Sequence, residues 1–106
     1  MSTGIRPILK KLKKGLLQIY GDQVDHILLY GSRARGDARP DSDIDILIVL
    51  KGDFNYSKML ELSSDFAASL SLENDVVISR AFVSREQLEH RQTPFLMNVR
   101  REAVPV

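Results

Sequence analysis

Apolar residues recur at three- and four-residue steps at the start of the chain: Ile5, Ile8, Leu9, Leu12 and Leu16. That spacing predicts an amphipathic helix over about residues 5–20, with Pro7 tolerated in its first turn. The pattern then shortens to Val24-Asp25-His26-Ile27-Leu28-Leu29-Tyr30, an apolar run stopped by Gly31, as expected of a buried strand. A short turn or helix ending at Gly36 follows, and Asp37-Ala38-Arg39-Pro40-Asp41 reads as a polar surface loop. Ile44-Asp45-Ile46-Leu47-Ile48-Val49-Leu50 is rich in β-branched residues and closes at Lys51-Gly52-Asp53, which predicts a second strand. Met59, Leu60, Leu62, Phe66, Ala67 and Leu70 form the stripe of one helix over residues 56–72, with Asn55 or Ser57 near its start as a cap. Asp75-Val76-Val77-Ile78-Ser79 reads as a third strand. The capping-box pattern Ser84-Arg85-Glu86-Gln87 and the pair Thr93-Pro94 predict two short C-terminal helices. The expected class is therefore α/β (α+β): a mixed sheet of three to four strands flanked by helices, formed by a single domain over residues 1–106.

The polar residues within this pattern carry the chemistry. Strand period two puts Asp43 and Asp45 on one face, with Cα atoms roughly 7 Å apart, close enough for both carboxylates to converge on a hard cation that prefers oxygen ligands. Two acids on one face of an otherwise apolar strand are costly to bury without such a partner. Ten residues upstream, the strand ending at Tyr30 delivers Gly31-Ser32. A glycine turn permits close backbone approach, and its N–H groups with a neighbouring hydroxyl suit phosphate oxygens. The candidate nucleotide contacts are Gly31, Ser32, Arg33 and Ser42. Arg33 and Arg35 both follow the turn, and at most one need face a ligand. Gly-Ser alone is also an ordinary loop dipeptide, so the ordered combination carries the weight. A phosphate-gripping turn joined to a two-carboxylate seat suggests nucleotide transfer from a triphosphate. Two magnesium ions would activate the attacking oxygen and neutralise the leaving group. That arrangement calls for a third carboxylate, expected at Asp75, which would hold one ion and help to accept the proton of the incoming hydroxyl. Glu73 and Asp65 are its nearby competitors.

Gly31-Ser32, ten residues, and Asp43-x-Asp45 resemble the signature of the DNA polymerase β-like nucleotidyltransferases. The chain length is similar to that of the minimal nucleotidyltransferases of bacteria and archaea, especially the antitoxin halves of pairs whose toxin is a HEPN-type ribonuclease. The resemblance runs from Val24 to Ser79 and more loosely through the segment from Pro94 to Val104, where Ala103 stands in a position often held by glycine. It implies a small nucleotidyltransferase fold, with Asp43, Asp45 and Asp75 as metal ligands and catalytic residues, Mg2+ as cofactor and ATP as substrate. It further implies transfer of AMP to a tyrosine of a cognate HEPN-type toxin, which would be both substrate and partner. Two readings from other classes stand beside it: an antitoxin that neutralises its toxin by contact alone, and a nucleotide-binding regulatory subunit. Enzymes of this kind that modify aminoglycosides, polymerise or tail tRNA usually add further domains.

Composition narrows these readings. The 106 residues are 43% hydrophobic and 27% charged with a formal net charge of +1, which suits one modest core and gives no global reason to expect tight nucleic-acid binding. No apolar run approaches the roughly 18–20 residues of a membrane span and no signal-like segment opens the chain, so a cytoplasmic protein is expected. There is no cysteine, hence neither a disulfide nor a thiolate metal site. Lys10, Lys11, Lys13 and Lys14 read as a solvated helix face in preference to an RNA- or toxin-docking patch, because no aromatic residue is interleaved for stacking. His26 and His90 read as structural or surface histidines, and Tyr30 as a core tyrosine next to the turn.

Overall fold

The computed structural model of the chain describes residues 3–106. A 3-10 turn, Thr3–Ile5, leads into helix α1, Arg6–Tyr20. Its buried stripe is Ile8, Leu9, Leu12, Leu16 and Tyr20, the predicted face, while the four lysines are exposed. Strand β1 is Val24–Tyr30, the four-residue helix α2 is Ser32–Arg35 and strand β2 is Ile44–Leu50. Helices α3, Tyr56–Leu62, and α4, Ser64–Asn74, precede strand β3, Ile78–Ser84. Helices α5, Arg85–His90, and α6, Pro94–Glu102, follow, and a two-residue strand β4, Val104–Pro105, closes the chain.

The sheet order is β3-β2-β1-β4, with β1 antiparallel to β2 and β4, and β3 parallel to β2. Central β2 is buried on both faces, which is why its sequence is a continuous apolar run and not an alternation. Ile44, Ile46, Ile48 and Leu50 join Leu12 and Leu16 of α1, Met59 of α3, Leu70 of α4 and Phe82 in one core. Leu47 and Val49 face the other way and pack with Val83, Leu96 and Val99, so α6 covers the second face. Gly15 lets α1 meet α4 closely: a Cβ there would lie 2.1 Å from Cζ of Phe66. No helix among the described residues is long and apolar enough to cross a membrane.

Three sequence expectations are corrected. The single helix over residues 56–72 is broken at Ser63, a fully buried residue whose hydroxyl accepts hydrogen bonds from Tyr20 Oη, at 2.8 Å, and from the Arg80 guanidinium. Tyr20 Oη also donates to the Met59 carbonyl, and Arg80 Nη1 donates to the Leu60 carbonyl at 2.9 Å. Donors from α1 and β3 thus satisfy the Met59 and Leu60 carbonyls near the end of α3, where the helix stops. The third strand starts later and runs longer than residues 75–79, because α4 continues to Asn74 and Asp75 closes it in the left-handed conformation, φ 51° and ψ 47°. Asp75 therefore caps a helix instead of opening a strand. The capping box at Ser84 and Gln87 and the Thr93 cap are both formed. Ala103 sits at φ −68° and ψ 148°, ordinary extended backbone, so the position makes no demand for glycine.

Candidate functional site

Antiparallel pairing of β1 with β2 sets Tyr30 opposite Asp45 and thereby brings Gly31, the next residue, to the Asp45 side chain. A Cβ at Gly31 would stand 2.4 Å from Asp45 Oδ2, and the backbone there has φ 75° and ψ −158°, a region that only glycine occupies readily. The turn and the carboxylate are thus in contact, two elements that the sequence separates by more than ten residues. Ala34 and Arg35 N–H groups both donate to the Gly31 carbonyl at 3.1 Å, which leaves the N–H groups of Ser32 and Arg33 at the open end of α2. The Ser32 hydroxyl makes no hydrogen bond among the described residues. Both features suit an anion placed over the turn.

Asp43 is exposed and immediately precedes β2; Asp45 is half-buried. Burial pushes the Asp45 carboxyl above the usual carboxylate range, the negative charge of Asp43 pushes it further, and Arg35 partly offsets both. A bound cation would relieve the repulsion that the Asp43 charge exerts on Asp45. Two carboxylates without sulfur or imidazole are a hard-oxygen donor set, and they fit a divalent ion of the magnesium kind.

The other expected residues are placed differently. Arg33 turns back on the connecting loop, donating from Nη2 and Nε to the Ser42 carbonyl at 2.9 and 3.3 Å and from Nη2 to the Pro40 carbonyl at 3.3 Å. The Ser42 hydroxyl accepts from the Arg39 N–H at 2.8 Å. Both side chains brace the loop that delivers Asp43. Arg35, not Arg33, is the guanidinium whose charge reaches Asp45, and it also pairs with Asp37 and Glu102 on the exposed side. Asp75 lines a groove of about 540 Å3 with Pro40, Ser42, Leu72 and Val77, and among the described residues no three acidic or histidine side chains gather as a metal site. Glu73 and Asp65 lie on α4. His26 pairs with Asp25 at 2.8 Å, and His90 is exposed beside Glu89. Tyr30 is raised above its ordinary pKa by burial first and then by the Asp45 charge, and its ring stacks edge-on with Phe95 at 5.3 Å. Spacing offered Arg33 and Arg35 together without choosing between them, and it could not identify Phe95, which reaches Tyr30 from α6.

Residues 10–93 match the family described as Polymerase beta, Nucleotidyltransferase. The chain belongs to this nucleotidyltransferase family. It is 36% identical over 80 residues to the protein adenylyltransferase MntA of Thermococcus cleftensis, covering 76% of this chain and 79% of that one. It is 38% identical over 72 residues, 68% of this chain and 72% of the relative, to a Methanocaldococcus jannaschii protein provisionally named a protein adenylyltransferase. The fold is similar to that of a toxin–antitoxin crystallised with AMP-PNP, with a TM-score of 0.62 and 23% identity over 91% of this chain and 69% of that chain. The small mixed sheet with flanking helices is thus the nucleotidyltransferase fold, and the enzyme's Gly31-Ser32 turn and Asp43-Asp45 pair occupy one end of it.

Proposed function

We propose that this nucleotidyltransferase is a protein adenylyltransferase that moves AMP from ATP to a tyrosine hydroxyl of a cognate HEPN-type ribonuclease toxin, and so serves as its antitoxin in the cytoplasm. The observation that supports the reading is the contact between Gly31 and Asp45, which sets the candidate phosphate turn against one of the two candidate carboxylates. The adenylyltransferase names of relatives at 36–38% identity support the substrate class.

In this reading the Ser32 hydroxyl and the N–H groups of Ser32 and Arg33 hold triphosphate oxygens, and Arg35 adds a positive charge beside Asp45. Arg33 and Ser42 hold the loop that presents Asp43, so they support the nucleotide site from behind. Asp43 and Asp45 hold magnesium, which when bound neutralises phosphate charge and favours attack at phosphorus. The acceptor oxygen gives up its proton to solvent and forms a bond to the α-phosphorus, and the bond to pyrophosphate breaks, pyrophosphate leaving with the electron pair.

The test is incubation of the purified chain with Mg2+ and α-labelled ATP, with and without the product of the neighbouring gene, followed by intact mass of both proteins. A gain of one or more AMP units on the neighbour is the expected result. A tight complex with no gain in mass would replace transfer by steric neutralisation. Asp43→Asn with Asp45→Asn is expected to abolish transfer with the fold intact, and activity retained in that double variant would remove the pair from the mechanism.

A further inference from the structure

Strand β3 is the neighbour of β2 on its outer side, and its register with β2 is fixed: Ile44 opposes Ile78, Asp45 opposes Ser79, Leu47 opposes Ala81 and Val49 opposes Val83. Residues opposed in a parallel pair point to the same face, and alternate residues share it. Packing agrees, because Leu47, Val49, Ala81 and Val83 lie together in the second core, whereas Ile44, Ile78 and Phe82 lie in the first. The β3 side that looks along Asp45 therefore carries Ser79 and Ala81, preceded by Val77, which is 58% exposed and gives its carbonyl to the Ile44 N–H at 2.8 Å. None is an acid. Asp75 stands four residues before Ser79, outside the strand, in the left-handed cap of α4, and its side chain does not join Asp43 and Asp45 in a metal-binding group.

We infer that Asp43 and Asp45 form a seat for one divalent cation, the one that arrives with the nucleoside triphosphate, and that the half-buried Ser79 occupies the place from which a ligand for a second ion would have to come. Two carboxylates and the phosphate oxygens can fill much of a single octahedral shell, with water completing it. A second ion roughly 3.5–4 Å away needs its own anionic ligand, and β3 offers a hydroxyl there. This inference rests on the pair being a metal seat, and it departs from the two-ion arrangement expected from the sequence.

The experiment is a Mn2+ titration of the chain saturated with α,β-methylene-ATP, followed by electron paramagnetic resonance. The free-ion signal counts bound Mn2+, and the bound spectrum separates an isolated ion from an exchange-coupled pair. The Asp43→Asn, Asp45→Asn double variant supplies the background of ion held by nucleotide alone. We expect one ion per chain with an isolated-ion spectrum, unchanged in count and affinity by Asp75→Asn, and two coupled ions in Ser79→Asp. Two ions in the parent chain, falling to one in Asp75→Asn, would overturn the one-ion seat while leaving nucleotidyl transfer standing. A parent chain no better than the double variant would overturn the metal seat itself. A folded Ser79→Asp chain that still holds one ion would overturn the assignment of position 79; should that variant not fold, the Asp75→Asn count alone decides the one-ion seat.

Discussion

Gly31→Ala is the sharpest probe of the contact on which the site depends. Its first effect is on the backbone: φ 75° with ψ −158° is a glycine region, and forcing a Cβ into it costs about 1–3 kcal/mol. Its second effect is steric. The new Cβ would stand 2.4 Å from Asp45 Oδ2, well inside a van der Waals contact of about 3.5 Å, so carboxylate and turn must separate by about 1 Å. For a domain of this size each kcal/mol lowers the melting temperature by about 4–8 °C, which predicts a fall of roughly 5–20 °C. Displacing a ligand's support typically weakens metal binding by about 10–100-fold, and a misplacement of about 1 Å can slow transfer about 100-fold. Gly36→Ala is the matched control. It also places a Cβ at positive φ, 86°, but the new atom meets nothing within 4 Å, so it should lose about 1–2 kcal/mol and keep its metal affinity. Thermal melts paired with Mn2+ titration of both variants decide the matter. Equal metal affinity in Gly31→Ala and the parent would refute the claim that Gly31 sets the position of Asp45.

Asp45→Asn should stabilise the metal-free protein while destroying the metal seat. The folded-state pKa of Asp45 is raised, so the native chain holds this proton more tightly than the unfolded one; stability falls as pH rises from about 4 through the raised value and stays lower above it. Because the group is partly solvated the gain at neutral pH should be about 1 kcal/mol or less, read from melts across pH in chelator, where an unchanged or lower melting temperature would contradict it. Tyr20→Phe should cost about 1–3 kcal/mol in urea denaturation, since it removes the donor shared by the Met59 carbonyl and Ser63 hydroxyl. Burial raises the Tyr20 pKa, so the parent chain should lose stability above about pH 10, where the unfolded chain releases the proton first, and the Phe variant should lose less. Gly15→Ala sets a Cβ 2.1 Å from the Phe66 ring, and overpacking of about 1–3 kcal/mol should outweigh a helix-propensity gain of about 1 kcal/mol; Phe66→Leu in the same chain should restore most of the loss.

The first two strands, the turn between them and the carboxylate pair were legible because each rests on a local signal: an apolar run, a glycine that stops it, and acids two residues apart. The break at Ser63 was not, since its cause lies 43 residues away at Tyr20 and 17 away at Arg80. From residues 56–72 alone the apolar stripe reads as one helix, and only donors from α1 and β3 reveal why it ends. The start of β3 was misread for a related reason. Asp75 precedes three β-branched residues and looks like a strand opening, but a short polar side chain also tolerates the left-handed conformation in which it ends α4. Arg33 and Arg35 are indistinguishable by spacing; their roles separate only once α2 turns one toward the carbonyls of Pro40 and Ser42 and leaves the other near Asp45.

Topology explains why these features meet where they do. Because β1 and β2 are antiparallel, the C-terminal end of one and the N-terminal end of the other lie together, and the segment from Gly31 to Asp43 connects them at that same end. Because β3 runs parallel to β2, its N-terminal end arrives there too, preceded by the α4 cap. Two connecting segments therefore converge at one end of the sheet, and a side chain's contribution depends on register more than on nearness in sequence. Asp45 and Ser79 are neighbours by register, while Asp75, an acid only four residues from Ser79, falls outside the strand. A one-residue slip of β3 would not repair this, since it would bury a different face, Phe82 and Ile78 leaving the first core. The hydrophobic packing that fixes the register thereby also fixes which β3 side chain, Ser79, stands beside Asp45.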